Sequence, residues 1–147
     1  MSVPPPSSRS PSQLSGRSIL ITGASSGIGE AAALACAERG MRGVLAGRDE
    51  RRLKAVSEKI QANGGTATTL SGDIRNRADI DALVQYCLDT HGCIDAALIN
   101  AGIGCALGVE HADDADIAAA IEINLLQIIN EENIPEPVKP VNNEYVL

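Results

Sequence analysis

The chain is 147 residues long, carries a net charge of −7 and is 44% hydrophobic, which suits a single domain able to bury its own core. It has no Trp, no Phe and two Tyr, and its cations form no basic cluster beyond Arg48, Arg51, Arg52 and Lys54. Neither the electrostatic footprint nor the stacking platforms of a nucleic-acid binder are present. No apolar run is long enough to span a membrane, and the core has to be assembled from Leu, Ile, Val and Ala.

Residues 1–17 hold six serines and four prolines and read as a disordered arm. They lack the hydrophobic segment of a secretory signal, and Pro4-Pro5-Pro6 opposes the helix of a mitochondrial presequence. A cytoplasmic location is expected. A plastid is the alternative, because Ser and Arg are present and no acid precedes Glu30.

A first strand, about 18–22, is predicted from Ile19-Leu20-Ile21, and an alanine-rich helix, about 28–39, follows it. Between them lies Thr22-Gly23-Ala24-Ser25-Ser26-Gly27-Ile28-Gly29. A glycine-rich turn from a buried strand into a helix suits a dinucleotide pyrophosphate: glycines allow close backbone approach, and the free N–H groups of the helix N-terminus favour negative charge. Gly23, Ser25, Ser26, Gly27, Ile28 and Gly29 are therefore candidate cofactor-binding residues.

Further strands are predicted at about 43–46, 66–70 and 95–100, and further helices at about 50–63, 77–91 and 114–129. Leu53, Val56 and Ile60 form one helical stripe, and Ile80, Leu83, Val84, Cys87 and Leu88 form another. Asp49, Asn76 and Asp113 suit helix N-caps, while Gly40, Gly64 and Gly92 suit helix ends. This alternation implies parallel strands joined by right-handed crossovers. The expected fold is α/β, a Rossmann-type half-fold with strand order 3-2-1-4. Its domain boundaries are 18–129, with the arm before it and an irregular acidic tail, 130–147, after it.

Cofactor choice is read at the end of the second strand, where an Asp or Glu would bind the ribose hydroxyls of NAD. Here stand Ala46-Gly47-Arg48. No carboxylate at 47 repels a phosphate and Arg48 can grip one, so NADP is expected and NAD is the lesser candidate. Asp49 beside it is expected to cap a helix. Cys36, Cys87, Cys93 and Cys105 form no C-x-x-C pair and read as reduced structural thiols. His91 and His111 are isolated, expected to be satisfied or solvent-facing, and no metal site is expected.

Asn124 lies on the helical stripe Ile117, Ala120, Ile121, Asn124, Leu125, Ile128, so an amide is expected on an otherwise apolar face, where it needs a hydrogen-bonding reason. One reason is simple capping of a neighbouring carbonyl. The other comes from family likeness.

Four features in order, T-G-x-x-x-G-x-G at 22–29, Asp73-Ile74 after the third strand, Asn100-Ala101-Gly102 after the fourth and Asn124-Leu125 in the next helix, resemble the short-chain dehydrogenase/reductase family. The resemblance covers about residues 18 to 129. It implies that Asp73, with Ile74 beside it, hydrogen-bonds the adenine amino group. It also implies that Asn100 and Ala101 pack beside the cofactor, and that Gly102 lets the backbone run close to it. Asn124 would support a proton relay behind the catalytic residues.

The family's catalytic Ser and Tyr-x-x-x-Lys would complete that set, yet no Tyr-x-x-x-Lys occurs: Tyr86 is followed four residues later by Thr90, and Tyr145 lies in the acidic tail. Asn124 is thus the one candidate of an incomplete catalytic set. The leading expectation is a truncated NADP-dependent oxidoreductase that keeps the dinucleotide-binding half and is catalytically incompetent. The alternatives are an oxidoreductase active only with a complementing subunit, and an interaction module. The module would self-associate or pair with a full-length relative through helix 114–129, using a second stripe of Ile123, Leu126 and Ile129.

Overall fold

The computed structural model describes residues 13–103 and 114–126. Four parallel strands, β1 (Ser18–Thr22), β2 (Arg42–Gly47), β3 (Thr66–Ser71) and β4 (Ala96–Leu98), form one sheet in the order β3-β2-β1-β4. Helices α1 (Gly27–Glu38), α2 (Glu50–Ala62) and α3 (Arg77–His91) connect them, and α4 (Asp114–Ile121) follows. The fold class and strand order are those expected.

All five residues of β1 are buried, because helices cover both faces of the sheet. Ile19, Ile21 and Leu45 pack with Ala33 of α1 and with Leu53, Val56 and Ile60 of α2. Leu20, Val44 and Ala46 point the other way, onto Leu83 and Cys87 of α3. Alternation along a strand thus sorts one apolar run into two cores. Ser57, buried within the α2 stripe, donates to the Ala67 carbonyl at 2.9 Å and fastens α2 over β3. The caps act where expected: Asp49 accepts from the Arg52 N–H, Asn76 from the Ala78 N–H, and Gly92 closes α3 in the left-handed conformation at φ 80°.

Several expectations are corrected. Residues 13–17 do not belong to the irregular arm: the Gly16 N–H donates to the Gly40 carbonyl at 2.8 Å, and Leu14 packs against the core. The Arg42 N–H and side chain add bonds to the Arg17 and Gly16 carbonyls at 2.8 and 2.9 Å, so backbone pairing and one apolar side chain together seat the segment. β4 is shorter than 95–100, because side chains of β1 take the bonds at both its ends. The Asp95 N–H donates to the Ser18 hydroxyl at 3.1 Å, and the Asp95 carboxylate accepts from the Ser18 N–H at 2.7 Å. The Asn100 and Ala101 N–H groups donate to the Thr22 hydroxyl at 3.1 and 3.2 Å.

The last helix is also not uniform. α4 ends at Ile121 and a π-helical turn, Glu122–Leu126, follows. Its facing differs too: Ile117 and Ile121, expected on the core stripe, are exposed, whereas Ile123, expected on the second stripe, is 5% exposed. His91 is neither satisfied nor solvent-facing at every atom, since its Nε2 is buried without a hydrogen-bond partner among the described residues, and burial lowers its pKa. Burial likewise pushes the Cys87 thiol up to about 11, as suits an inert core cysteine. Residues 1–12, Cys105, His111, the Asp113 cap, Ile128, Ile129 and the tail 130–147 lie outside the described residues.

Among the described residues no strand pairs with the outer edge of β4, where Ala97 is exposed. Unpaired backbone groups on an apolar edge invite pairing. A polypeptide of these 147 residues is expected to self-associate despite its −7 charge. Size-exclusion chromatography with light scattering checks this, and a stable monomer at tens of micromolar would show that the edge is covered.

Candidate dinucleotide-binding site

The C-terminal ends of the four strands open onto one polar cleft of about 470 Å³. The turn after β1 contributes Gly23, Ser25 and Ser26; the end of β2 contributes Gly47, Arg48 and Asp49, with Arg52 just inside α2. Gly72, Asp73 and Ile74 follow β3, and Asn100, Ala101, Gly102 and Ile103 follow β4. Ile123 closes the wall. Open α/β sheets bind ligands here, outside the carboxyl ends of the strands, where the connections leave in opposite directions. A separate apolar hollow between β4 and α3 measures about 10 Å³, space for no more than a water.

The first wall is built around glycines with no room for a side chain. A Cβ on Gly29 would lie 2.2 Å from the Gly23 carbonyl oxygen and 2.7 Å from the Asn100 Nδ2. Gly29 therefore lets the first turn of α1 sit directly on the preceding loop. Gly27 and Ile28 do not line the cleft; Gly27 has φ 59° with open space where a Cβ would go, and Ile28 is 77% exposed. Ser26 is the N-cap of α1 without using its hydroxyl to cap it. The orphan N–H groups of the first turn are the usual anchor for a phosphate.

Thr22, 2% exposed, joins this wall to the one after β4. Its hydroxyl accepts both N–H groups described above, and the Asn100 side chain donates weakly to the Thr22 and Gly23 carbonyls, at 3.4 Å each. Sequence reasoning placed Thr22 in the motif without a role. The available signal was a hydroxyl ending an apolar strand.

On the opposite side Arg48 is exposed, with no hydrogen bond or ion pair to a described residue. The Asp73 carboxylate is held by Arg75, whose Nε lies 3.0 and 3.1 Å from its two oxygens. That grip, aided by the Arg75 N–H and by the charges of Arg75 and Arg48, outweighs burial and lowers the Asp73 pKa to about 2. Asp73 is therefore an anion, and a hydrogen-bond acceptor only, throughout the physiological range. Its own N–H donates to Asp79 at 2.8 Å, which fixes the turn.

Asn124 is exposed and does not point into an apolar face. Its Oδ1 accepts from the Ile103 N–H at 2.9 Å and its Nδ2 donates to the Ile103 carbonyl at 2.8 Å. The amide is engaged with a single backbone residue, which matches the capping alternative. Gly102 has a reason the sequence did not show: a Cβ there would lie 2.9 Å from Asn124 Oδ1. Asn124→Ala is expected to cost about 1 kcal/mol, since the bonds are partly solvated, and to speed amide exchange at Ile103. Unchanged exchange at Ile103 would refute the clasp.

Gly47, Arg52, Gly72, Ile103 and Ile123 line the cleft although the sequence pattern marks none of them as site residues. Among the described residues no group of three or more His, Cys, Asp or Glu could hold a metal ion, and no helix is long and apolar enough to cross a membrane.

Fold and cleft together are those of a Rossmann-type module. The chain belongs to the short chain dehydrogenase family, whose model matches residues 17–132. An uncharacterized oxidoreductase of Listeria monocytogenes is 38% identical over 112 residues, covering 76% of this chain and 45% of that protein. A glucose 1-dehydrogenase of Gluconobacter oxydans is 35% identical over 118 residues, 80% of this chain and 44% of the relative. The crystal structure of a metagenomic short-chain oxidoreductase in complex with NADP superposes with a TM-score of 0.71 at 36% identity, covering 77% of this chain and 52% of that one. The chain thus spans less than half the length of these curated relatives.

Proposed function

We propose that these residues are the NADP-binding half of a short-chain oxidoreductase. The observation that carries the reading is the cationic wall at the end of β2: Arg48 faces the cleft unpaired among the described residues, Gly47 offers no carboxylate, and Asp49 caps α2. The pyrophosphate lies on Gly23, Ser25, Ser26 and the α1 N-terminus, and Gly27, Ile28 and Gly29 shape that turn. Asp73 and Ile74 receive the adenine, and Asn100, Ala101 and Gly102 flank the nicotinamide half. When bound, the cofactor would accept a hydride in its oxidised form and supply one in its reduced form; the cleft residues bind and orient it. Asn124 acts as a clasp holding Ile103 rather than touching reacting atoms.

Calorimetric titration tests the reading. Arg48→Ala is expected to weaken NADP by about 1–3 kcal/mol, the range for a charge-assisted hydrogen bond, and to leave NAD nearly unchanged. Equal losses for both dinucleotides would remove the basis for NADP.

A further inference from the structure

Arg52 stands in the first turn of α2, four residues after Arg48, and lines the same wall of the cleft. These two are the cations of that wall among the described residues. Arg52 is engaged with Asp49 twice: its N–H donates to Asp49 Oδ1 at 3.0 Å, and its Nε lies 3.4 Å from Asp49 Oδ2. The first contact is a helix cap, which the backbone of any non-proline residue would supply. The second depends on the guanidinium.

Asp49 is the weak point of an NADP site, because it places a carboxylate directly after Arg48 on the cleft wall. An unmasked anion there would repel a phosphate on the adenosine ribose. With side chains 66% and 51% exposed, the Arg52–Asp49 pair adds little to stability. Its placement has a clearer consequence for ligand charge. A guanidinium that meets a carboxylate through Nε keeps its terminal nitrogens, with four further N–H donors, for another oxyanion.

Resting on the NADP reading above, we infer that Arg52 is a second specificity-determining residue. It masks the Asp49 carboxylate and presents its remaining donors, beside Arg48, to the 2′-phosphate. The nicotinamide end is not involved. A ligand carrying only the phosphorylated adenosine should therefore feel the same effect.

The test titrates the 147-residue chain with NADP, NAD and adenosine 2′,5′-bisphosphate by calorimetry. Arg52→Gln keeps the backbone cap and is expected to weaken NADP and the bisphosphate about tenfold, with NAD changed less than about twofold. Adding Asp49→Asn, which still caps a helix, is expected to recover part of that loss. Full retention of NADP affinity in Arg52→Gln, or equal loss of NADP and NAD, overturns the inference. If Arg48→Ala abolishes the NADP preference in the same experiment, the NADP reading survives. No recovery in the double variant overturns the masking role. An unsubstituted chain that binds NADP and NAD equally, or binds neither, overturns the NADP reading and this inference together.

Discussion

Gly29→Ala is expected to unfold the nucleotide loop and abolish dinucleotide binding. The added Cβ would meet the Gly23 carbonyl oxygen at 2.2 Å, a backbone atom that cannot rotate aside, so the first turn of α1 must lift from the loop that precedes it. Overpacking of this kind costs about 3 kcal/mol, a large share of the stability of a small domain. Gly27→Ala is the matched control. Its Cβ has open space, but φ 59° carries a left-handed penalty of about 1–2 kcal/mol, so the fold should survive with weakened phosphate binding. Thermal unfolding with calorimetric titration reads both variants. A Gly29→Ala protein as stable as the parent would show that α1 does not pack on the loop in this way.

A polypeptide of these 147 residues is expected to bind NADP and show no measurable carbonyl reduction or alcohol oxidation. No Tyr-x-x-x-Lys occurs in it, and Asn124 is committed to the Ile103 backbone. Proton transfer by a positioned residue is typically worth about 10²–10⁴-fold, and orientation of the substrate adds more, so turnover should fall to background. Spectrophotometry of NADPH consumption with purified chain checks this. Clear turnover would require a base elsewhere in the sequence. Turnover appearing only on addition of a full-length relative would favour complementation.

Helices α2 and α3 were legible because stripes such as Leu53, Val56 and Ile60 coincide with real caps at Asp49 and Asn76, so local and global preferences agree. The cleft residues in the glycine turn, Arg48 and Asp73 were legible because each follows a strand end that the alternation fixes. The last helix was not: in a window as apolar as Ile117 to Leu126, periodicity cannot choose which face turns inward, and Ile123 took the buried place. The exposed setting of Asn124 was not legible, because its partner, Ile103, lies 21 residues earlier in the chain. The close approach of the Asn124 oxygen to Gly102 was not legible for the same reason. The place of Arg52 on the cleft wall depends on how α2 leaves β2, which spacing alone does not reveal.

The side-chain bonds at the two ends of β4 make that short strand behave as a ruler. Asp95 is tied to Ser18 below the ladder and Asn100 to Thr22 above it, so sliding β4 by one residue along β1 would break both ties at once. The span from Asp95 to Asn100 is about 16 Å of extended chain. The height of the Asn100-Ala101-Gly102 wall is thus set partly by a carboxylate at the far end of the sheet. Any strand that adds to the outer edge of β4 meets a template whose alignment is already fixed, and the cleft keeps its depth whether that edge is open or paired.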